Sequence, residues 1–598
     1  MSITYLDSEK IYYSFLSGAQ EVIRNKRVLN EINVFPVSDG DTGSNLAHTM
    51  YTIMQEAKIA KTVKETMNSI ADAALTGARG NSGIIIAQYI NGIFMSIRTD
   101  DNLTMASFAD MVKNAVPHAY HAISNPVEGT IITVIKDWAE AIDRYKDHAK
   151  DFHELLSSSA QVAIASLKET PHQLKILEES NVVDSGAKGF VYFVEGFTQF
   201  LKTGHFVSDH DIDQEDIAFT EYPSHDHDVI HERYCTEALL SGTNLDLDAI
   251  RNELTPYGDS LIVAGNTGKA KVHIHTNEPT QIFQILKTKG IILQQKADDM
   301  IRQNEDAYHR KYPIALVTDS IADLPLEYMD QHQIHMMPLN LLFDSSTYLD
   351  KVTMTPEVFY PLLDQVEEYP KSAQPNPKVA ENYLGTIASH YDKILVITVA
   401  KAQSGTHGVL DKAAERFRKD GKEIIVVDSK QNSGAEGLLV MKASELIQQG
   451  KDLPEIVSEI EALRKDTKIL VSVNTLKYMV RSGRLNKAAG LAGSIMNLKP
   501  VVSLDDEGKG SIAAKAFSEK SNTDKILQIM KNDHDHKKIT RFSILHANAE
   551  KRANDLKERA VALLGYEPEY TMNISTIVGM SAGVGTVAVS YMCENVDS

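Results

Sequence analysis

The chain has 598 residues, 43% hydrophobic and 24% charged, with a formal net charge of -20. That length exceeds what one hydrophobic core can serve and asks for three or four domains, while the acidity argues against nucleic acid or an anionic membrane surface as the main partner. Cys235 and Cys593 stand far apart, which excludes a disulfide framework. Residues 1–10 lack a signal peptide's basic flank and no apolar stretch is long enough to span a membrane, so a cytoplasmic protein is expected.

Residues 1–204 read as almost wholly helical: Ile11, Phe15, Ala19 and Ile23 recur every four residues, and Leu75, Ile84, Ile85, Ile90 and Phe94 continue the pattern. Glycine clusters interrupt the helices, which predicts a helical scaffold with a site at its rim. The first interruption, Asn-Val-Phe-Pro-Val-Ser-Asp-Gly-Asp-Thr-Gly-Ser-Asn at 33–45, sets Asp39 and Asp41 on either side of a glycine and runs into a helix. Carboxylates this close repel each other and invite a hard cation such as Mg²⁺, and the helix start beside them favours an anion. Together they suit a nucleoside triphosphate; a plain Asp-Gly turn with an Asn or Ser cap accounts for the same residues. Three loops follow: Gly-Ala-Arg-Gly-Asn-Ser-Gly at 77–83, whose N–H groups and Ser82 hydroxyl can wrap phosphate, then Pro-Val-Glu-Gly-Thr at 126–130 and Val-Asp-Ser-Gly-Ala-Lys-Gly at 183–189. Each alone is an ordinary loop; four in one helical domain point to a nucleotide site.

Residues 205–229 are acidic and His-rich with too little apolar content for a core, and read as a linker. From 230 to 308 the pattern is mixed α+β, with strands predicted at 260–264 and 271–275 around a Gly-Asn-Thr-Gly turn. His273 and His275, two apart on a strand, share a face, and Cys235 would complete three zinc-type ligands if the fold brings it near. Two strand histidines and an unrelated buried cysteine account for the pattern equally.

In residues 309–598 short apolar runs at 313–320, 393–400, 423–429 and 468–474 alternate with helical segments, the mark of a parallel α/β sheet covered on both faces. Ser372, Ser404, Thr406 and Arg484 would form an anion cradle suited to a carboxylate. The alternative is a helix capped by Ser404 and Thr406, with Arg484 in a surface salt bridge.

The motifs at 33–45, 77–83, 126–130 and 182–186, in that order, make residues 1–204 resemble the DhaL-type (Dak2) kinase domain carried by bacterial fatty-acid kinases. That resemblance implies an eight-helix antiparallel barrel holding ATP through Mg²⁺. Asp39 and Asp41 would be the catalytic metal ligands and Asn33 a further metal contact. Thr42, Ser44, Asn45, Gly80, Asn81 and Ser82 would contact phosphates, and Thr130, Asp184 and Gly186 would border the nucleotide. Ser38 stands where proline is usual. The middle segment's Tyr-Cys-Thr-Glu and His-x-His resemble those kinases' middle domain, where they are associated with a metal, here Zn²⁺ on Cys235, His273 and His275.

Residues 309–598 resemble DegV proteins, the fatty-acid carriers of the same kinases, through Val-Thr-Asp-Ser-Ile-Ala-Asp-Leu-Pro at 317–325, Ser-Ala-Gln-Pro at 372–375, Ser-Gly-Thr-His at 404–407, Arg-Ser-Gly-Arg-Leu at 481–485 and Asn-Leu-Lys-Pro at 497–500. The likeness implies a two-lobed α/β fold around one acyl chain, with Ser372 and Ser404 on its carboxylate and Arg484 nearby. The sequence departs from that pattern at Ser581, in Gly-Met-Ser-Ala-Gly-Val-Gly at 579–585, where a histidine beside the carboxylate is usual.

Kinase and carrier thus read as joined in one chain that would pass the γ-phosphoryl group of ATP to a bound fatty acid, giving an acyl phosphate. A homodimer is the expected assembly, with a separate carrier or a downstream acyltransferase as further partners. Two other readings stay open: a lipid-binding or regulatory protein with an altered kinase site, and a dihydroxyacetone-type polyol kinase.

Overall fold

The computed structural model describes residues 3–35, 40–98, 102–123, 125–204, 206, 230–344, 346–363, 365–366, 368–473, 475–476, 478–479, 482 and 498–594. The predicted linker therefore lies almost wholly outside the described residues, as do Asp39 and Arg484. The chain divides into two compact units, Met1–Tyr308 and His309–Ser598.

The first unit opens with eight helices of 15 to 22 residues: Ser8–Arg24, Thr42–Glu56, Val63–Gly77, Gly80–Met95, Met105–Ala122, Ile131–Tyr145, Phe152–Gln173 and Ser185–Thr203. Each packs on the next and the last packs on the first, closing the barrel expected from the resemblance. Short polar side chains start the helices by satisfying free N–H groups: Asp7 accepts from Lys10 N, and Thr62 and Glu65 form a capping box. The apolar periodicity then turns Ile11, Phe15, Ala19 and Val22 inward, fully or almost fully buried.

The middle segment is a four-stranded antiparallel sheet in the order Asp259–Gly265, Lys269–Thr276, Tyr234–Ser241, Ile291–Asp299. Helices Leu247–Leu254 and Pro279–Lys289 pack on it. Its strand facing the barrel contributes Ile262 and Ala264 to the same buried cluster as Ile84, Ile85 and Ala87 of the barrel. Barrel and middle sheet therefore share one core within one unit.

In the second unit, strands Glu423–Asp428, Lys393–Thr398, Ile314–Asp319 and Ile334–Met337 make a parallel four-stranded sheet in that order. The fourth apolar run predicted for a parallel sheet behaves differently: Thr467–Ser472 pairs antiparallel with Val587–Cys593 and Val501–Leu504 in a six-stranded sheet. A strand covered on both faces is apolar throughout whichever way its neighbours run, so direction was not encoded in that run. Helix Ser433–Gln448 packs against strands of both sheets, which explains why its buried residues surround it rather than forming a stripe.

Candidate functional site

The four glycine loops of the barrel converge. At the first, Asn33 Oδ1 accepts from Thr42 N at 3.1 Å, while Asn30 holds both ends of Ser44, accepting from its N at 3.0 Å and donating to its Oγ at 2.9 Å. Asp41 caps the Thr42–Glu56 helix through its carbonyl, which accepts from Asn45 N at 2.8 Å, and its side chain makes no capping bond. The second loop lies against the first: a Cβ on Gly80 would stand 2.3 Å from Asn45 Nδ2, and one on Gly83 2.6 Å from Thr49 Oγ1. The fourth touches the second, since a Cβ on Gly186 would stand 2.7 Å from Ser82 Oγ. Buried Asp184 links the fourth and third loops, accepting from Ala187 N at 2.7 Å and from Ile131 N, the residue after Thr130. Burial pushes its carboxyl up to about 7 against those two bonds. Thr130 turns its own hydroxyl back to Val127 O at 2.8 Å. Four helix starts, at Thr42, Gly80, Ile131 and Ser185, are thereby gathered with their N–H ends together, an arrangement that favours an anion. Asn81 Oδ1 is buried there without a hydrogen-bond partner among the described residues, an acceptor that a ligand donor would satisfy.

The barrel-facing side of the middle sheet carries the second cluster. In register, Cys235 faces His275, Glu237 faces His273, and across the other side of that strand they face Asp298 and Lys296. Cys235, His273 and His275 bring ligand atoms within 4.8 Å of one another, with Cys235 Sγ 3.9 Å from His273 Nδ1. Burial holds the His273 imidazole below its ordinary range, and its Nε2 is buried without a partner among the described residues. Burial also pushes the Cys235 thiol well up, with the carboxylates of Glu237, Asp298 and Asp41 adding to the shift and Lys296 opposing it. Two imidazoles and a sulfur fit Zn²⁺, so the donor set passes as a zinc site. The sequence reading missed Glu237, although a period of two from Cys235 along the strand points to it.

In the second unit, a cavity of about 230 Å³ takes Ser372, Gln374, Ser404, Asn432 and Ser581 among its polar lining and Ile469, Val471, Val502, Ile577, Val578 and Ala588 among its apolar lining. Ser372 and Ser404, predicted together, are thus together. Thr406 is buried and does not line the cavity; its Oγ1 lies 2.8 Å from Ser404 Oγ and its N donates to that oxygen at 3.3 Å, which orients Ser404. Ser581 lines the cavity, so the departure from the DegV pattern falls on the ligand space itself. Beside it, fully buried Asp319 accepts from Ile321 N and Val399 N, both at 2.9 Å, and burial pushes its carboxyl up to about 6. A folded-state value above the unfolded one means that the folded protein holds a proton through pH 4 to 6 that the unfolded chain has released, so this group's contribution falls as pH rises through that window. The stability of wild type relative to Asp319→Asn is expected to fall by about 2 kcal/mol between pH 4 and 6.5 in denaturant melts. A difference that stays flat with pH would show the group ionised throughout.

A ring of helix starts beside a sulfur–imidazole cluster lies in the first unit, and a cavity with both polar and apolar lining lies in the second. Residues 36–199 match the family model of the DAK2 domain, residues 231–307 that of the FakA-like middle domain of fatty acid kinase, and residues 313–594 that of the DegV family, described as uncharacterised proteins. The chain is a fusion of these three parts. An uncharacterized protein of Staphylococcus epidermidis is 34% identical over 340 residues, covering 52% of this chain and 60% of its own length. One from Staphylococcus aureus is 33% identical over 308 residues, covering 50% and 56%. This chain therefore matches less than two thirds of those relatives' length. Among solved structures, a fatty-acid-binding DegV family protein from Thermus thermophilus is 27% identical, covering 47% of this chain and 100% of that one, with a TM-score of 0.44. DegV from Bacillus subtilis, a fatty acid binding protein, is also 27% identical, covering 48% and 100%, with the same TM-score of 0.44. Among the described residues no helix is long and apolar enough to cross a membrane.

Proposed function

We propose that this chain phosphorylates the carboxylate of a fatty acid at the expense of ATP, the acyl chain lying in the cavity of the second unit. The observation that carries this reading is the convergence of four glycine-bearing loops at four helix starts. Asp41, with Asp39, would hold Mg²⁺, which supplies charge neutralisation on the transferring phosphates. The positive ends of these helices, through N–H groups other than Thr42 N and Gly80 N, which Asn33 and Glu237 already hold, would take up the negative charge that develops on the phosphoryl oxygens. A fatty-acid carboxylate oxygen attacks the γ-phosphorus, the bond from that phosphorus to the β,γ-bridging oxygen breaks, and ADP leaves with the electron pair. No general base is needed, because the nucleophile is already ionised.

The fatty-acid part of the proposal rests on the fatty acid kinase type of the middle domain and on the cavity's chemistry, serine hydroxyls and branched apolar side chains in one lining. Joining donor and carrier in one chain raises the effective concentration of one at the other to about millimolar wherever the tether lets them meet. The test is hydroxamate trapping of acyl phosphate made by the purified chain from ATP, Mg²⁺ and a long-chain fatty acid, with dihydroxyacetone as the competing acceptor. Trapped acyl hydroxamate supports the proposal; turnover only with dihydroxyacetone replaces the fatty acid by a polyol.

A second reading, a lipid-binding or regulatory protein, is favoured by Ser581, since a neutral hydroxyl brings no charge to a carboxylate or acyl phosphate. Lipid retained through purification without any acyl phosphate formed would favour it. In either reading Ser404→Ala removes a hydroxyl aimed by Thr406, and the affinity for a fluorescent fatty acid is expected to fall about tenfold, the worth of one hydrogen bond to a charged group. Unchanged affinity would place the carboxylate elsewhere in the cavity.

A further inference from the structure

The start of the Gly80 helix is already occupied. Gly80 N donates to Glu237 Oε1 at 2.9 Å, across 157 residues of sequence and from barrel to middle sheet. Glu237 is only 3% exposed. Its other oxygen meets Lys271 Nζ at 3.1 Å, and its Oε1 lies 3.5 Å from His273 Nδ1. One carboxylate therefore joins a backbone N–H of the glycine loop to one ring nitrogen of a zinc-type histidine, whose other nitrogen is buried without a partner among the described residues.

From this geometry we infer that Glu237 is a positioning residue that couples the Cys235–His273–His275 cluster to the nucleotide loop, so that metal and nucleotide binding strengthen each other. The coupling rests on the nucleotide reading proposed above. Its physical basis is one chain of contacts, a hydrogen bond from Gly80 N to Glu237 and a 3.5 Å contact from Glu237 to His273. A carboxylate beside a histidine ring fixes the ring's orientation, and so the direction in which it offers a nitrogen to a metal. A ring anchored on a metal fixes the carboxylate in return, and the carboxylate fixes Gly80 N. Gly80 holds a positive φ of 56° and packs on Asn45, so a shift of this residue moves both the first and second glycine loops. The middle sheet is held in place independently of Glu237: Gly265 N donates to Gln88 Oε1 at 2.7 Å, and Asn91 Nδ2 donates to Gly265 O at 2.9 Å. Glu237 is thus not needed to dock the sheet, and its buried charge serves the link between the two clusters. Linkage makes the effect reciprocal.

The test uses the full chain and two probes, Zn²⁺ in competition with a chromophoric chelator and MgADP by calorimetry. In wild type, removing the metal is expected to weaken MgADP binding at least fivefold. Glu237→Gln is expected to bind Zn²⁺ about ten- to a hundredfold more weakly. It should also bind MgADP more weakly than wild type, with the same affinity whether or not Zn²⁺ is present. Cys235→Ser, which attacks the cluster directly, should match chelated wild type, and it keeps the test open if Glu237→Gln does not fold by circular dichroism. Equal MgADP affinity for loaded and chelated wild type overturns the coupling alone. A Glu237→Gln protein that keeps the wild-type response to chelation removes Glu237 from it and overturns the assignment. No MgADP binding by any form overturns the nucleotide reading and the coupling together.

Discussion

Asp41→Ala is expected to cut acyl-phosphate formation about a thousandfold while shifting the melting temperature by no more than a few degrees. The two effects separate because the backbone and side chain of Asp41 have different tasks. The helix Thr42–Glu56 is started by the Asp41 carbonyl, which accepts from Asn45 N at 2.8 Å, and by the Asn33 and Asn30 amides holding Thr42 N and Ser44 N. All three bonds survive in the alanine variant. The carboxylate is the part proposed to hold Mg²⁺, and losing several kcal/mol of charge neutralisation on a phosphoryl group corresponds to about three powers of ten in rate. Hydroxamate trapping reads the rate and calorimetric melting reads the fold. Wild-type turnover in the variant would remove Asp41 from the site; a collapse of the melting temperature would make it a structural residue.

Gly80→Ala is expected to weaken MgADP binding about a hundredfold and to cost about 2 kcal/mol of stability. A side chain at φ 56° costs about 1–2 kcal/mol for the left-handed conformation alone. The added Cβ would also lie 2.3 Å from Asn45 Nδ2, so either Asn45 or the loop must move. Either movement separates the first glycine loop from the second, and Gly80 N shifts from Glu237. Calorimetry with MgADP and denaturant unfolding measure the two consequences. An alanine variant that binds MgADP as wild type does would show that the Gly80 loop is structural and the anion lies elsewhere.

The loops' convergence was legible because each motif carries its own local signature: a glycine where the backbone must turn or approach closely, an Asp, Ser or Asn before a helical pattern. The four loops were assigned to one site from sequence, and the contacts among Asn45, Gly80, Ser82, Gly186, Asp184 and Ile131 bring them to one rim of the barrel. His273 and His275 were legible as neighbours on one face for the same local reason, the two-residue period of a strand. Ser372 and Ser404 were assigned to one cradle, and one cavity takes both.

Other features depend on which distant segments meet. The pairing of Glu237 with Gly80 joins residues 157 apart, and neither residue's neighbours announce it. Thr406 was expected to face the ligand and instead is absent from the cavity lining, its Oγ1 2.8 Å from the Oγ of Ser404, which does line it. The run at 468–474 reads like its parallel counterparts, yet its strand Thr467–Ser472 pairs antiparallel, since burial on both faces erases the alternation that would report direction. Short-range chemistry, the caps, turns and face periodicities, is written in consecutive residues and was readable there. Strand direction, cavity lining and the bond from the middle sheet to the glycine loop arise from packing between segments far apart in the chain, and packing is chosen by the burial of whole faces rather than by any one stretch of residues.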